Sequence, residues 1–578
     1  MDEGRDVFSF PVGEGGSARS AETDGARRKA CSAKPNEPRG TGRRRTPPLA
    51  RFASLTLPYR EGRALALPLA ILLLAPLPAQ AGEPVFVDRA GDLPVVHVYD
   101  GGWEHFVGGG VAVLDCNGDE KPDLYVAGGA NPAALLVNVT EGPGAPIRFV
   151  EGAQDGALGG DTGVTGAYPL DVDGDGVLDL AVMRVGANRL LKGGPDCGFT
   201  DATAQWGFDA GERWSTAFSA TWEPGRARPT LAIGNYVDRS DPNGPFEACD
   251  VNELHRPEGE LYGAPVLLEP GFCALSILFS DWSRNGRPEL RVSNDRHYYV
   301  RGGYEQMWRL DPLEERVAAD GWPRISLWGM GIASRDVTGD GLSEVMLTSM
   351  GDQLMKLNRG DGYENAPYSI GTYAQRPFLG DDGRPSTGWH AEFGDVDNDG
   401  RADLFIAKGN VDQMPSNAMK DPNNLLMQTP EGIFVERAAE AGVATTDRAR
   451  GAALADLDGD GRLDLVVVNR RAPLEIWQNA TPETGAWLAV TPREAGPNVF
   501  AVGAFVEVRT ARGVQVQEIT VGGGHVGGRA GPLHFGLGPA EAAELRVIWP
   551  DGTASEWVEA PVARRFEAIR DGETLVLR

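Results

Sequence analysis

An acidic string recurs along the chain. It reads 171-DVDGDGVLDL-180, then 395-DVDNDGRADL-404 and 456-DLDGDGRLDL-465; related strings begin at Asp115 and Asp336, and a worn one at Asp281. Successive starts lie 55 to 61 residues apart, except for the 110 between Asp171 and Asp281, which is two steps. The missing copy falls at 218-FSATWEPGRARPTLAIGN-235, which keeps the flanking apolar segments and has lost the aspartates. Seven units therefore occupy about residues 86–481. Such a period constrains the fold strongly, because a unit this small buries its apolar face only against a neighbour like itself.

Each unit carries short apolar runs. One precedes the acidic loop (111-VAVL-114), a second follows it (124-LYVA-127), a third comes next (134-ALLVN-138), and several units close on an aromatic edge such as 147-IRFVE-151. Runs of this length between Gly, Asp and Asn are strands, too short for helices. Four strands per unit make a propeller blade. The rungs of an open solenoid are much shorter than this period. Beyond the repeat, 503-GAFVEVRT-510, 515-VQVQEITV-522, 543-AELRVIWP-550 and 574-TLVLR-578 alternate as strands. The expected fold is all-β: a seven-bladed β-propeller over 86–481, followed by a small antiparallel β-sandwich over 486–578.

The loop spacing has a chemical reading. Carboxylates at positions 1, 3, 5 and 9, with a carbonyl at 7 and a turn glycine at 6, converge on one point. In the second unit these are Asp171, Asp173, Asp175 and Asp179, in the sixth Asp395, Asp397, Asp399 and Asp403, and in the seventh Asp456, Asp458, Asp460 and Asp464. All-oxygen ligation without His or Cys selects a hard cation, and a flexible carboxylate-rich cage favours Ca2+ over Mg2+. An EF-hand needs flanking helices and Glu at position 12; here that position falls within an apolar strand, at Val182. The first loop offers Asp115, Asn117, Asp119 and Asp123 with Glu120 in place of the turn glycine, and the fifth Asp336, Thr338, Asp340 and Glu344, one charge fewer. The fourth, with Asp281, Ser283, Asn285 and Glu289, is marginal, and the third has no ligand set.

Net charge is −27; the first 81 residues hold 13 basic and 8 acidic side chains, leaving −32 for the remainder. That balance argues against nucleic acid and anionic membranes as partners. Residues 1–59 read as a disordered or mis-annotated extension. Residues 60–81 have arginines, an apolar run from Ala64 to Leu77 and Ala79-Gln80-Ala81, the shape of a signal peptide cleaved after Ala81. The run is too short for a membrane anchor and contains Pro68 and Pro76. A secreted, periplasmic or cell-surface chain is expected, with no stable membrane insertion after cleavage. Apart from Cys31, four cysteines remain: Cys116, Cys197, Cys249 and Cys273. Cys249 and Cys273 bracket one segment and are the favoured pair, leaving Cys116 with Cys197, although four cysteines allow three connectivities.

The acidic blades resemble FG-GAP/VCBS repeats of integrin-type propellers. In the tail, 498-NVFAVGAFVEVRT-510, 521-VGGGHVGG-528, 534-HFGLG-538 and 548-IWPDG-552 resemble the ASPIC/UnbV domain that follows such repeats in relatives of cartilage acidic protein. The Phe-Gly…Gly-Ala-Pro signature itself is poorly kept, with Phe393-Gly394 opening one copy. The resemblance implies a secreted calcium-binding propeller with a C-terminal β domain, and it supplies architecture more than activity.

No HExxH, GxSxG or P-loop string occurs, and the glycine run at 521–528 lacks the strand-then-helix setting of a dinucleotide site, so it reads as a turn. The expected function is a binding or adhesion module for an extracellular protein or glycan. Its recognition surface would be the segments that exceed a blade, 236–272, 364–388 and 408–424. The alternative is an extracellular enzyme acting on polysaccharide or a specialised metabolite, with His255, His297 and His390 converging on one pocket. Trp222, Trp282, Trp308, Trp322, Trp328 and Trp389 read as blade core rather than as a sugar platform. Arg359-Gly360-Asp361 reads as an ordinary turn, and Asn138 and Asn479 head glycosylation sequons.

Overall fold

The structure is a computed structural model describing residues 82–153, 157–295, 302–320, 322–351, 353–373 and 384–578. The extension at 1–59 and the signal segment at 60–81 lie outside the described residues. Among the described residues, seven antiparallel four-stranded units follow one another, one for each unit of the repeat, and the sheet of the first gains a fifth, parallel strand, Gly528–Ala530. Blade two, for example, comprises Val164–Leu170, Asp179–Arg184, Arg189–Gly193 and Phe199–Asp201. First strands of successive blades are neighbours, and Ala449–Ala455 of the last lies beside Val111–Leu114 of the first, closing a ring. The closure is interlocked: Phe86–Asp88 pairs with Glu475–Asn479 as the outer strand of blade seven.

Small residues such as those of 449-ARGAALA-455 crowd the axis, while β-branched and leucine side chains such as those of 464-DLVVVN-469 fill the space between blades. Blade three corrects the sequence reading. Residues 236–272 were expected to be a recognition insert, yet Asn252–His255 and Val266–Leu268 within them are the two outer strands of the blade. Charged side chains between those strands hid the pattern.

A second fastening runs between blades. The third strand of blades one, five, six and seven ends in Asn138, Asn358, Gln428 or Asn479. Each side-chain amide donates to a loop carbonyl of the preceding blade: Leu457 (2.8 Å), Trp282 (2.7 Å), Val337 (2.9 Å) and Val396 (2.8 Å) respectively. Each of those carbonyls belongs to position 2 of an acidic loop. Blade two has Gly193 at the end of its third strand, and there the Cys116–Cys197 disulfide joins position 2 of the preceding loop to blade two instead. In blade three Arg228 reaches the Val172 carbonyl, at 3.4 Å. The second disulfide is Cys249–Cys273, so the favoured connectivity is the one formed.

Asn138 and Asn479 are each 1% exposed with their amides committed, so in the folded chain these sequons are structural pins rather than glycan acceptors. Asn479→Ala strips the donor from the Val396 and Leu463 carbonyls. It should cost about 2 to 4 kcal/mol by denaturant unfolding; a loss under about 0.5 kcal/mol would show that the pin carries nothing.

The C-terminal region holds two four-stranded sheets. One contains Ala486–Arg493, Leu533–Gly538, Arg564–Asp571 and Thr574–Leu577; the other Phe505–Thr510, Gly513–Glu518, Ala543–Ile548 and Val558–Ala560. Their facing sides bury Leu488, Val506, Phe535, Leu545, Trp549 and Phe566. The first sheet is mixed rather than wholly antiparallel as expected. Arg564–Asp571 arrives by a crossover from the other sheet, and so runs parallel to Ala486–Arg493.

The glycine run forms the least expected element. Instead of a surface turn, residues 521–530 enter the middle of the ring and touch the inner strands of successive blades. Val521 bridges to Ala220, Gly522 to Leu278, Gly524 to Ile332 and Gly527 to Ala167, and Gly528–Ala530 runs parallel to Ala112–Leu114. The approach is close enough to need glycine on the blades as well. A Cβ on Gly110 or Gly166 would sit 1.6 or 1.7 Å from the Val526 carbonyl oxygen.

Candidate metal loops and the channel they surround

Backbone hydrogen bonds shape the acidic loops before any ion is considered. The position 1 carboxylate accepts the N–H groups of the turn: Asp171 from Gly174 and Gly176, Asp395 from Asp399 and Gly400, Asp456 from Asp460 and Gly461. Asp115, Asp336 and the worn Asp281 do the same, so the turn survives where ligands have been lost. Position 6 adopts positive φ in every case, at 85° for Gly176 and at 66° for Glu120, the one non-glycine that stands there.

Position 9 has a role the spacing did not disclose. One carboxylate oxygen of Asp179 accepts the Val172 N–H (2.7 Å) and the other the Gly193 N–H (2.8 Å), tying the loop to the third strand. Asp123, Asp403, Asp464 and Glu344 repeat this arrangement. These carboxylates are deeply placed. Burial pushes Asp179 up to about 8 and Asp123, Glu344 and Asp456 up to about 7. Burial, followed by neighbouring carboxylates, raises Asp395, Asp403 and Asp464 well above the usual range.

Among the described residues, three loops gather carboxylate oxygens within 4.8 Å of one another: Asp171, Asp173 and Asp179; Asp395, Asp397 and Asp399; Asp456, Asp458 and Asp464. The donor set fits a hard divalent cation, and Asp173 leaves a buried oxygen with no hydrogen-bond partner. Lys192 lies on Asp173 and, at 2.6 Å, on Asp175; Arg401 lies on Asp399 and Arg462 on Asp460. Among the described residues, the carboxylates proposed for the first loop (Asp115, Asp119, Asp123) and the fifth (Asp336, Asp340, Glu344) do not gather in this way. Asp123 instead abuts the disulfide, 2.9 Å from Cys116 Sγ; with both sulfurs oxidised, that grouping offers no thiolate to a metal. In the fourth loop, a double ion pair from Arg316 (2.7 Å to each oxygen) takes Glu289, which removes it as a ligand.

The C-terminal domain is seated on these loops. Arg512 donates to the Asp399 carbonyl (2.8 Å), the Gly538 N–H to the Asn398 carbonyl (2.8 Å), and His534 Nε2 to the Gly461 carbonyl (3.0 Å). Glu518 accepts from Ser280 (2.5 Å) and from the Asp281 N–H (2.7 Å), and Glu507 pairs with Arg284 (2.7 Å).

Inside the ring, His525 Nε2 accepts the Gly108 N–H (3.3 Å), its Nδ1 donates to the Met330 carbonyl (3.2 Å), and its own N–H donates to His390 Nδ1 (3.0 Å). Burial pushes His525 down to about 3 and His534 to about 4, so both are neutral. Glu392 meets Arg529 (3.0 Å), the Leu454 N–H (3.0 Å) and His390 Nε2 (3.5 Å). Sequence reasoning undervalued this cluster, because a glycine run around a histidine carries no periodic signal.

The histidines of the enzymatic alternative do not share a pocket. His255 is buried in blade three against Phe208, His390 faces the channel, and His297 lies outside the described residues. Trp282, Trp308, Trp322 and Trp389 are buried, and Trp222 and Trp328 half-buried, which accords with core. Arg359-Gly360-Asp361 is the turn between Leu354–Asn358 and Tyr363–Asn365, with Arg359 paired to Glu364 at 3.1 Å.

Comparison with known proteins agrees with this geometry. A family model for the FG-GAP-like repeat matches residues 115–182 and 336–406, and one for ASPIC and UnbV matches 494–574. Cartilage acidic protein 1 of Xenopus tropicalis is 38% identical over 109 residues, 18% of this chain and 17% of that protein. The Homo sapiens protein is 30% identical over 162 residues, 27% of this chain and 24% of that one. The chain thus aligns with about a quarter or less of the length of these curated relatives. Among solved structures, BBS1N in complex with ARL6DN has a TM-score of 0.40 at 9% identity, covering 70% of this chain and 98% of that one. An Agrocybe aegerita lectin recognising non-reducing terminal N-acetylglucosamine has a TM-score of 0.36 at 14% identity, covering 65% and 94%.

Proposed function

We propose that this chain, a propeller of FG-GAP-like repeats capped by an ASPIC and UnbV domain, is an exported calcium-binding module that holds an extracellular protein or glycan. The observation that carries this reading is the unequal treatment of the two ring faces. Acidic loops join first to second strands, and the C-terminal domain sits on that face. Antiparallel alternation puts the connections from second to third strands, and those from blade to blade, on the other face. There lie the long segments 236–251, 366–387 and 409–423, of which 374–383 are outside the described residues. Recognition belongs on loops carried by a rigid scaffold.

Calcium would be held by Asp171, Asp173, Asp175 and Asp179, by Asp395, Asp397, Asp399 and Asp403, and by Asp456, Asp458, Asp460 and Asp464. It would supply countercharge to buried carboxylates and set the platform for the C-terminal domain, with no part in bond making. Two disulfides fit an oxidising compartment. No helix among the described residues is long and apolar enough to cross a membrane.

The test is a glycan-array and extracellular-protein screen of the chain from Gly82, with calcium and with EDTA. A hit should weaken at least tenfold when 409–423 is replaced by a short glycine-serine turn. A hit indifferent to that replacement and to equivalent changes in 236–251 and 366–387 would remove the loop face as the binding surface.

A further inference from the structure

Between the inner strands of the blades and the underside of the C-terminal domain lies a cavity of about 180 Å3. Two guanidiniums line it, Arg335 at the end of the first strand of blade five and Arg529 on the segment that enters the ring. Arg529 is paired with Glu392. Arg335 is 8% exposed and stands 6.0 Å from the centre of the Phe535 ring, and among the described residues its guanidinium has no ion pair or hydrogen bond. Asp395 and Asp403 act on it only at longer range. Burying a cation without a partner is costly and calls for a counter-anion. Glu518, on the same wall, does not supply one at neutral pH, since burial pushes it up to about 8. Trp222 and Leu278 from the blades and Val499 and Phe500 from the C-terminal domain give the lining an apolar side, beside the polar His390 and Gln517 and the carboxylates of Asp171 and Glu392.

We propose that this cavity is a binding site for a small organic carboxylate, its head group held by Arg335 and Arg529 and its apolar body lodged against Trp222 and Phe500. A planar guanidinium matches a carboxylate in two-pronged fashion, and a pocket with an apolar wall and few convergent polar groups suits a small ligand. The site is separate from the loop face, and gives the C-terminal domain a task besides capping the ring.

The experiment is calorimetric titration of the calcium-saturated chain with benzoate, hexanoate, acetate and inorganic phosphate, each repeated on Arg335→Gln, Arg335→Lys and Arg529→Gln. Calcium binding and circular dichroism are measured on every variant. Benzoate or hexanoate should bind saturably at one site per chain, more tightly than acetate or phosphate. Arg335→Gln should weaken that binding about 10- to 100-fold, with Arg335→Lys between it and the parent. Three outcomes overturn the proposal: no saturable binding by any probe, phosphate binding as tightly as the carboxylates, or benzoate affinity unchanged in folded Arg335→Gln. If that variant alters calcium affinity alone, Arg335 serves the Asp395 loop and the proposal fails, while the calcium reading stands. Should Arg335→Gln not fold, Arg529→Gln decides by the same criterion.

Discussion

Chelation of divalent ions should lower the melting temperature of the folded chain by about 5 to 10 °C. Three loops at about a hundredfold excess of calcium over their dissociation constants would each contribute about 2.7 kcal/mol by mass action, spread over an unfolding entropy of about 2 cal/mol/K per residue. Asp458→Ala, which removes one loop's central ligand, should remove about a third of the shift. The pH dependence gives a sharper signature. Without calcium, Asp179 and Asp456 retain protons up to about pH 7 or 8 in the native state, whereas the unfolded chain has released them near pH 4. The native state then binds more protons, and stability falls as pH rises through that window. With calcium those carboxylates are ionised and drop out of the balance, while Asp123, Glu344 and Glu518, outside the three loops, keep their raised values; His525 and His534 are neutral when folded down to about pH 3 and 4. Their unfolded counterparts take up protons below about 6.5, so stability is lost as pH falls toward 4. Melting temperature should therefore fall more steeply with rising pH in EDTA than in calcium when measured at pH 5, 6, 7 and 8. Matching slopes, or melting indifferent to EDTA, would refute the calcium assignment.

Gly166→Ala should be among the most damaging single methyl groups in the molecule. The added carbon would lie 1.7 Å from the Val526 carbonyl oxygen and 2.7 Å from its carbonyl carbon, both main-chain atoms that no rotamer change can move. Either the strand or the entering segment must yield, at about 3 kcal/mol or more. The expected readouts are a lowered melting temperature and new protease cleavage within 519–531, releasing a C-terminal fragment. Gly142→Ala, where an added carbon meets nothing within 4 Å, is the control. If the two variants melt and digest alike, residues 521–530 do not hold the ring centre in solution.

Features of the fold written in local spacing were legible. The aspartates of 456-DLDGDGRLDL-465 lie within ten residues and announce both the turn and its chemistry, and the strands around them follow from apolar runs. What escaped depends on partners far along the chain. Asn479 looks like a sequon because its acceptor, Val396, is 83 residues away. Asn252–His255 and Val266–Leu268 look like an insert because charged side chains surround them. The run at 521–528 looks like a turn because the reason for its glycines is supplied by Ser219, Ile332, His390 and Val111 on the surrounding blades. Position 9 looked like a ligand only, because the N–H groups it binds belong to main chain and leave no mark on composition. Arg335 and Arg529, 194 positions apart, gave no signal at all.

The strand that locks the ring and the segment that fills it lie at opposite ends of the described chain. Phe86–Asp88 must wait for Glu475–Asn479 before it has a partner, and the inner edges of the first five blades must wait for residues 521–530. A chain made from its N-terminus therefore builds the rim first and receives the hub last. Half-made, it is an arc with two raw edges and a hollow centre; finished, it is a wheel whose axle was the last part delivered.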